Sequence, residues 1–157
     1  MLTDSQRTTV DDVVANHKHL PGALLPILHG VQDGLGFIPA GAVEIIAREL
    51  NLSRAEVHGV ITYYHHFRSE PAGKHVVQIC RAESCQSMGS EKLWAHACLH
   101  LDADGHHPSK DGAFTVEPVY CLGLCASSPS MAIDGKVHAR INVDKFNKLV
   151  AQARSAA

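Results

Sequence analysis

Four of the five cysteines in this 157-residue chain form two pairs of unequal spacing. Cys80 and Cys85 enclose four residues in "CRAESC", and Cys121 and Cys125 enclose three in "CLGLC". Each pair begins where a short apolar run ends, Cys80 after "HVVQI" and Cys121 after "VEPVY". Short runs rich in β-branched and apolar residues read as strands. If the two strands are neighbours, both pairs leave the same edge of a sheet and four thiols converge. Ala82, Ser84, Gly123 and Ala126 are small enough to let backbone N–H groups approach the sulfurs.

The rest of the second half supplies such a sheet. "GSEKLWAHACLHL" has helical period, with Leu93, Trp94, Ala97, Cys98 and Leu101 facing in. "DADGHHPSKDG" is a polar loop, and "AFTVEPVYC" is a strand ending on Cys121. "SMAIDGKVHARI" holds two short runs joined by Asp134-Gly135, a type I′ hairpin signal. "NVDKFNKLVAQA" closes as a helix with Val143, Phe146, Leu149 and Val150 apolar. The order β-α-β-β-β-α suits a mixed sheet packed by helices, thioredoxin-like in outline.

The first seventy residues keep a helical period throughout. "TTVDDVVANH" places Val10, Val13, Val14 and His17 on one face, with Thr8 or Thr9 as cap. "PGALLPILHGVQDGLG" repeats Leu24, Leu28 and Val31, tolerates Pro26 in its first turn and stops at Gly34 or Gly36. "PAGAVEIIARELN" lines up Val43, Ile46, Ala47 and Leu50 and ends at Asn51. Ser53 and Glu56 form a capping box that opens "SRAEVHGVITYYHHF", with Val57, Val60, Ile61 and Tyr64 as its stripe. "EPAGK" at 70–74 is a turn-rich link. The predicted class is α+β: an N-terminal helical bundle over 1–72, then a thioredoxin-like mixed sheet with flanking helices over 73–157.

Net charge is −2 and no basic stripe exists, which argues against nucleic acid as a partner. The opening "MLTDSQRTTVDDVV" lacks the basic and apolar regions of a secretory signal. No stretch approaches the roughly 20 apolar residues of a membrane span, so no direct membrane insertion is expected. The predicted location is cytoplasmic, where thiols stay reduced and cysteine pairs point to metal or redox chemistry rather than disulfides.

Four thiolates suit zinc or an iron–sulfur cluster, both of which favour soft sulfur. The gaps do not exclude structural zinc, although neither pair has the usual C-x₂-C knuckle spacing. A plant-type ferredoxin needs a third cysteine where Met88 stands. A Rieske centre needs a Cys-x-x-His box, and only the Cys-x-His of Cys98-Leu99-His100 is present. A thiol–disulfide enzyme needs C-x-x-C, which is absent.

The C-x₄-C and C-x₃-C pairs, 35 residues apart in this frame, resemble the thioredoxin-like [2Fe–2S] ferredoxin family. "GALLPILHGVQDGLGFIPAGAVEIIARELNLSRAEVHGVITYYHHF" looks like its N-terminal helical domain. "DGAFTVEPVYCLGLC" and "SPSMAIDGKVHARI" look like its second ligand loop and closing hairpin. The family supplies the small cluster-bearing subunits of complex I, bidirectional hydrogenases and NAD-dependent formate dehydrogenases. "NLSRAEVHGVITYYHHF" and "ICRAESCQS" look most like the gamma subunit of the molybdenum-containing formate dehydrogenase.

The resemblance implies one [2Fe–2S] cluster held by Cys80, Cys85, Cys121 and Cys125, two per iron. It implies an electron-transfer subunit with no catalytic site of its own. Its partners would be a flavin (FMN)- and NAD-binding iron–sulfur subunit and a larger molybdenum-containing catalytic subunit. The flavin handles two electrons and iron–sulfur centres one, so a cluster beside it would hold one while the other travels on. Many relatives have glycine after the last cysteine; here Ala126-Ser127-Ser128-Pro129 follows, which alters the expected N–H···S pattern. A zinc-stabilised interaction module is the alternative of another class.

The remaining features have plainer readings. Cys98 lies on an apolar helix face and is expected to pack there. The twelve histidines scatter, and the adjacent pairs His65-His66 and His106-His107 read as surface or satisfied groups. Tyr64 is expected to pack, and Tyr63 is open to either packing or a partner. "GLGF" at 34–37 follows a helix rather than a strand, so it reads as a helix stop and no nucleotide site is expected.

Overall fold

A computed structural model describes residues 2–105 and 107–156, which leaves the reading of His106 outside the described residues. The chain forms two compact units, Met1–Pro71 and Ala72–Ala157. The first holds helices α1 (Asp4–His17), α2 (Leu24–Leu35), α3 (Ala40–Glu49) and α4 (Arg54–Tyr63).

Helix α1 begins ahead of the predicted cap at Thr8 or Thr9. Thr3 is its cap: Gln6 N donates to Thr3 Oγ1 at 3.2 Å and Thr3 N donates to Gln6 Oε1 at 3.1 Å. Threonine and glutamine three apart satisfy two orphan amides reciprocally, which moves the start forward. Thr8 and Thr9 instead return their hydroxyls to the carbonyls of Asp4 and Ser5. The Ser53–Glu56 box opens α4 as expected, Glu56 N reaching Ser53 Oγ at 3.2 Å. Gly36 ends α2 with a φ of 80°, a left-handed conformation that glycine adopts without a Cβ penalty.

Val10, Ile27, Leu28, Val31, Ile46 and Val57 are fully enclosed and bind these helices together. Gln32 is buried in the same core. Its Nε2 donates to the His66 carbonyl at 2.8 Å and its Oε1 accepts from Arg68 N at 2.7 Å. One side chain thereby satisfies two backbone groups of the segment after α4. Tyr64 departs from expectation: it is 43% exposed and Tyr63 73%. The helix ends at Tyr63 and Tyr64 turns extended, so the stripe no longer governs its direction. Both tyrosines border a shallow apolar hollow with Leu24, Leu52 and Val60.

The second unit holds β1 (His75–Cys80), α5 (Glu83–Ser87), α6 (Ser90–Leu101), β2 (Phe114–Val119), a 3₁₀ turn (Cys125–Ser127), β3 (Met131–Ile133), β4 (Lys136–His138) and α7 (Val143–Ser155). The sheet order is β2-β1-β3-β4. β1 pairs in parallel with β2, from His75 with Phe114 to Cys80 with Val119. β3 pairs antiparallel with β1 on its other side, and β4 antiparallel with β3. Asp134 and Gly135 join β3 to β4 with φ of 49° and 78°, the two positive values a type I′ turn requires.

Val77, Ile79, Phe114, Val116 and Met131 of the sheet pack with Leu93, Ala97 and Leu101 of α6 and Phe146 and Val150 of α7. Two details depart from expectation. β2 ends at Val119, two residues short of Cys121, and the first cysteine pair encloses the start of the short helix α5. At Gly73 a Cβ would stand 2.8 Å from the Phe114 carbonyl carbon, so only hydrogen fits where the chain enters the sheet. Among the described residues no helix is long and apolar enough to cross a membrane.

Replacing Gln32 with Ala removes its hydrogen bonds to the His66 carbonyl and from the Arg68 amide. Unfolding by urea is expected to show a loss of about 2 kcal/mol, the usual worth of two such hydrogen bonds. A midpoint equal to that of the unaltered chain would contradict this account of Gln32.

Candidate metal centre

In-register parallel pairing places the ends of β1 and β2 side by side. Cys80 lies opposite Val119, and Arg81 N continues the ladder to the Val119 carbonyl at 2.8 Å. The loops carrying Cys85 and Cys121 therefore start at one edge of the sheet. Cys85 sits on α5 and Cys125 opens the 3₁₀ turn, and these two elements pack against each other.

The pairs differ in surroundings. Cys80 and Cys85 are each 2% exposed, whereas Cys121 and Cys125 lie at the surface. The Cys121 and Cys125 sulfurs are 3.6 Å apart. Cys121 has a φ of 98°, strained for a residue with a side chain, and Gly123 follows with a φ of 78°. This turn aims the Gly123 amide at the Cys121 sulfur, 3.3 Å away.

The four sulfurs also feel one another electrostatically. The Cys125 thiol is pushed above its ordinary range, first by its hydrogen bond and charge interaction with Cys121, then by burial and by Cys85 and Cys80. Burial pushes the Cys85 thiol up, but contacts from Ser128, Ser130 and Cys80 outweigh it and hold it below the ordinary value. The fifth cysteine behaves differently. Cys98 is half-buried on α6 against the core, and desolvation raises its thiol, with Arg81 opposing. Among the described residues no group of three or more His, Cys, Asp or Glu is placed to hold a single ion.

Neighbouring groups lock the loops. Arg81 grips Glu91 with two bonds of 2.9 and 2.7 Å and stacks 4.8 Å above Trp94. Gln86 Nε2 caps the Arg81 carbonyl at 3.0 Å. Arg140 and Ile141 amides hold the carbonyls of Ser127 and Pro129. The hydroxyls of Ser128 and Ser130 reach the Cys85 sulfur, and the Ser84 hydroxyl bonds that of Ser128. The sequence marks Ser84 only by its size and gives Ser128 and Ser130 no role; the "SSPS" run beside a cysteine pair is the one signal that points to them. Two of the paired histidines are engaged elsewhere: His66 packs on His29 and Phe67, and His107 pairs with Asp104.

The sequence matches the model of the thioredoxin-like [2Fe–2S] ferredoxin family over residues 10–154. It is 28% identical to a subunit of the NADH-quinone oxidoreductase of Pseudomonas aeruginosa, over 96% of this chain and 90% of that one. It is 32% identical to NADH-quinone oxidoreductase subunit 2 of Thermus thermophilus, over 84% of this chain and 68% of that one. The fold is similar to an NAD⁺-reducing [NiFe]-hydrogenase in the air-oxidised state, with a TM-score of 0.70 at 20% identity. That likeness covers 98% of this chain and 24% of the hydrogenase chain, and it speaks for the fold.

A [2Fe–2S] group asks for four soft anionic donors in a partly enclosed pocket. Two buried and two surface thiols at one sheet edge, with an amide and hydroxyls directed at them, fit that demand.

Gly123→Ala tests the turn itself. No atom lies within 4 Å of the added Cβ, so the cost is purely conformational. A loss of about 1 kcal/mol in urea unfolding is expected from forcing alanine into the left-handed region; no loss would mean the turn relaxes freely.

Proposed function

Because the chain belongs to the thioredoxin-like [2Fe–2S] ferredoxin family, whose cofactor is a [2Fe–2S] cluster, we propose that it is an electron-transfer subunit of an NAD-linked oxidoreductase complex. The observation that carries this is that both cysteine loops start at the joined ends of β1 and β2, where Cys125 senses Cys121, Cys85 and Cys80 electrostatically. Cys80, Cys85, Cys121 and Cys125 are the ligands in this reading, two per iron. When bound, such a cluster takes up and releases one electron at a time.

The chain's own residues give that chemistry its setting. Cys80 and Cys85 bury one side of the site, while Cys121 and Cys125 bring the other to the surface. A redox partner can approach that side closely. Tyr120 and Met88, both exposed, offer apolar contact on flanking segments. The partner is a flavin- and NAD-binding subunit. The helical unit, with Tyr63 and Tyr64 exposed, docks on a larger subunit.

Within this class we assign the chain to a formate dehydrogenase with a molybdenum-containing catalytic subunit. The support is in "NLSRAEVHGVITYYHHF" and "ICRAESCQS", which look most like that complex's gamma subunit. Complex I is the second reading, favoured by the two NADH-quinone oxidoreductase relatives. Affinity isolation of the native complex separates them. Molybdenum and formate-dependent NAD⁺ reduction are expected; quinone-linked NADH oxidation without molybdenum would favour complex I.

Cys121→Ser is expected to lose or severely distort the cluster, read by iron analysis and low-temperature EPR after reduction. Cys98→Ala is expected to keep full iron content. An unchanged EPR signal in the first variant, or less iron in the second, would displace the ligand set. A colourless, EPR-silent chain containing zinc would favour the interaction module instead.

A further inference from the structure

The Cys85 sulfur meets two serine hydroxyls, and a third, from a separate segment, backs one of them. Ser128 Oγ is 3.5 Å and Ser130 Oγ 3.6 Å from its sulfur. Ser84 Oγ is 2.9 Å from Ser128 Oγ, and both serines lie 2.9 Å from the Cys125 carbonyl oxygen. Ser128 and Ser130 are buried, at 9% and 1% exposure. The Cys80 amide fixes Ser130 by donating to its carbonyl at 3.0 Å.

Resting on the ligand reading above, we propose that Ser130 and, separately, a Ser84–Ser128 hydroxyl chain raise the cluster's reduction potential by donating to the Cys85 sulfur.

Counting protons leads to this arrangement. A ligated cysteine has no S–H and can only accept. Each serine has one proton to give. Ser130 has the sulfur as its contact and is sealed from solvent, so its proton goes there. Ser84 and Ser128 oxygens at 2.9 Å need a proton between them, since two facing lone pairs repel. If Ser84 supplies it, Ser128 is free to choose between the Cys125 carbonyl and the Cys85 sulfur. An anionic sulfur makes the stronger, charge-assisted bond and draws that proton. Ser84 then polarises Ser128, which strengthens its donation to sulfur.

The direction of the effect follows from charge. One-electron reduction makes the site more negative, and donors on sulfur stabilise the more negative state. Ser128 and Ser130 therefore favour the reduced form, and Ser84 acts on it through Ser128. All three are positioning residues.

The test is an EPR-monitored redox titration of the full-length chain carrying its cluster. Ser128→Ala and Ser130→Ala are each expected to lower the midpoint. The shift corresponds to about a tenfold fall in the reduced-to-oxidised ratio, or about 59 mV for one electron. Ser84→Ala is expected to move it the same way by less, and Ser128→Thr to restore it. Ser87→Ala, the control, is expected to leave it in place, because that hydroxyl bonds the Ser84 carbonyl at 2.8 Å.

Where a variant fails to hold its cluster, the unaltered chain in D₂O decides. Exchangeable deuterons coupled to the reduced centre are expected in ENDOR spectra, and their absence overturns the proposal. So do unchanged midpoints in Ser128→Ala and Ser130→Ala with iron intact. Cys85→Ser distinguishes the two levels of inference. Full iron and an unaltered spectrum in that variant would remove Cys85 from the ligand set, whereas loss of the cluster with unmoved serine midpoints would sink the hydroxyl chain alone.

Discussion

The parallel pairing of β1 with β2 is the constraint from which the site follows. Consecutive residues pair without a slip, from His75–Phe114 to Cys80–Val119. A shift of one residue would turn every side chain of a strand to the opposite face. Val77, Ile79, Phe114 and Val116 would then leave the core they share with α6 and α7. Apolar burial therefore fixes the register, and the register fixes where the cysteine loops begin. The candidate site sits at the end of a ladder whose position is set by ordinary hydrophobic residues.

Around that edge the polar groups are arranged by segments far apart in sequence. Arg81 is held by Glu91 of α6, Ser130 by the Cys80 amide, and the loop after Cys125 by Arg140 and Ile141. The first two tie a loop to a helix or strand, and the third ties it to the segment between β4 and α7. The loops have little regular structure of their own, yet their backbone directions are determined. Such outer support is what keeps ligands oriented and tunes a metal centre.

Much of this is legible in the sequence, because the signals are local. Helical period locates α2, α3 and α4, and the Ser53–Glu56 pair marks a boundary that the backbone obeys. Asp134-Gly135 announces its hairpin. An element shorter than about a turn and a half has no period to read, which is why α5 is hidden between Cys80 and Ser87. Thr3–Gln6 carries the same capping logic as Ser53–Glu56, but the later threonines Thr8 and Thr9 compete with it for the start of α1. The stripe through Val57, Val60 and Ile61 predicts an inward Tyr64 only if the helix continues, and it does not. The serines around Cys85 are invisible for another reason. The contacts of Ser84 with Ser128 and of Ser130 with Cys85 depend on tertiary placement, and nothing in serine's spacing encodes it.

The unequal burial of the two sulfur pairs bears on how the chain is handled before it is loaded. Cys121 and Cys125 lie at the surface with their sulfurs 3.6 Å apart, so an empty chain presents neighbouring thiols to any oxidant. Thiolate is the species that reacts, and the hydrogen bond and charge interaction with Cys121 hold the Cys125 thiol above its ordinary range. Oxidation has its opening at this outer pair, while the inner pair, Cys80 and Cys85, stays under cover.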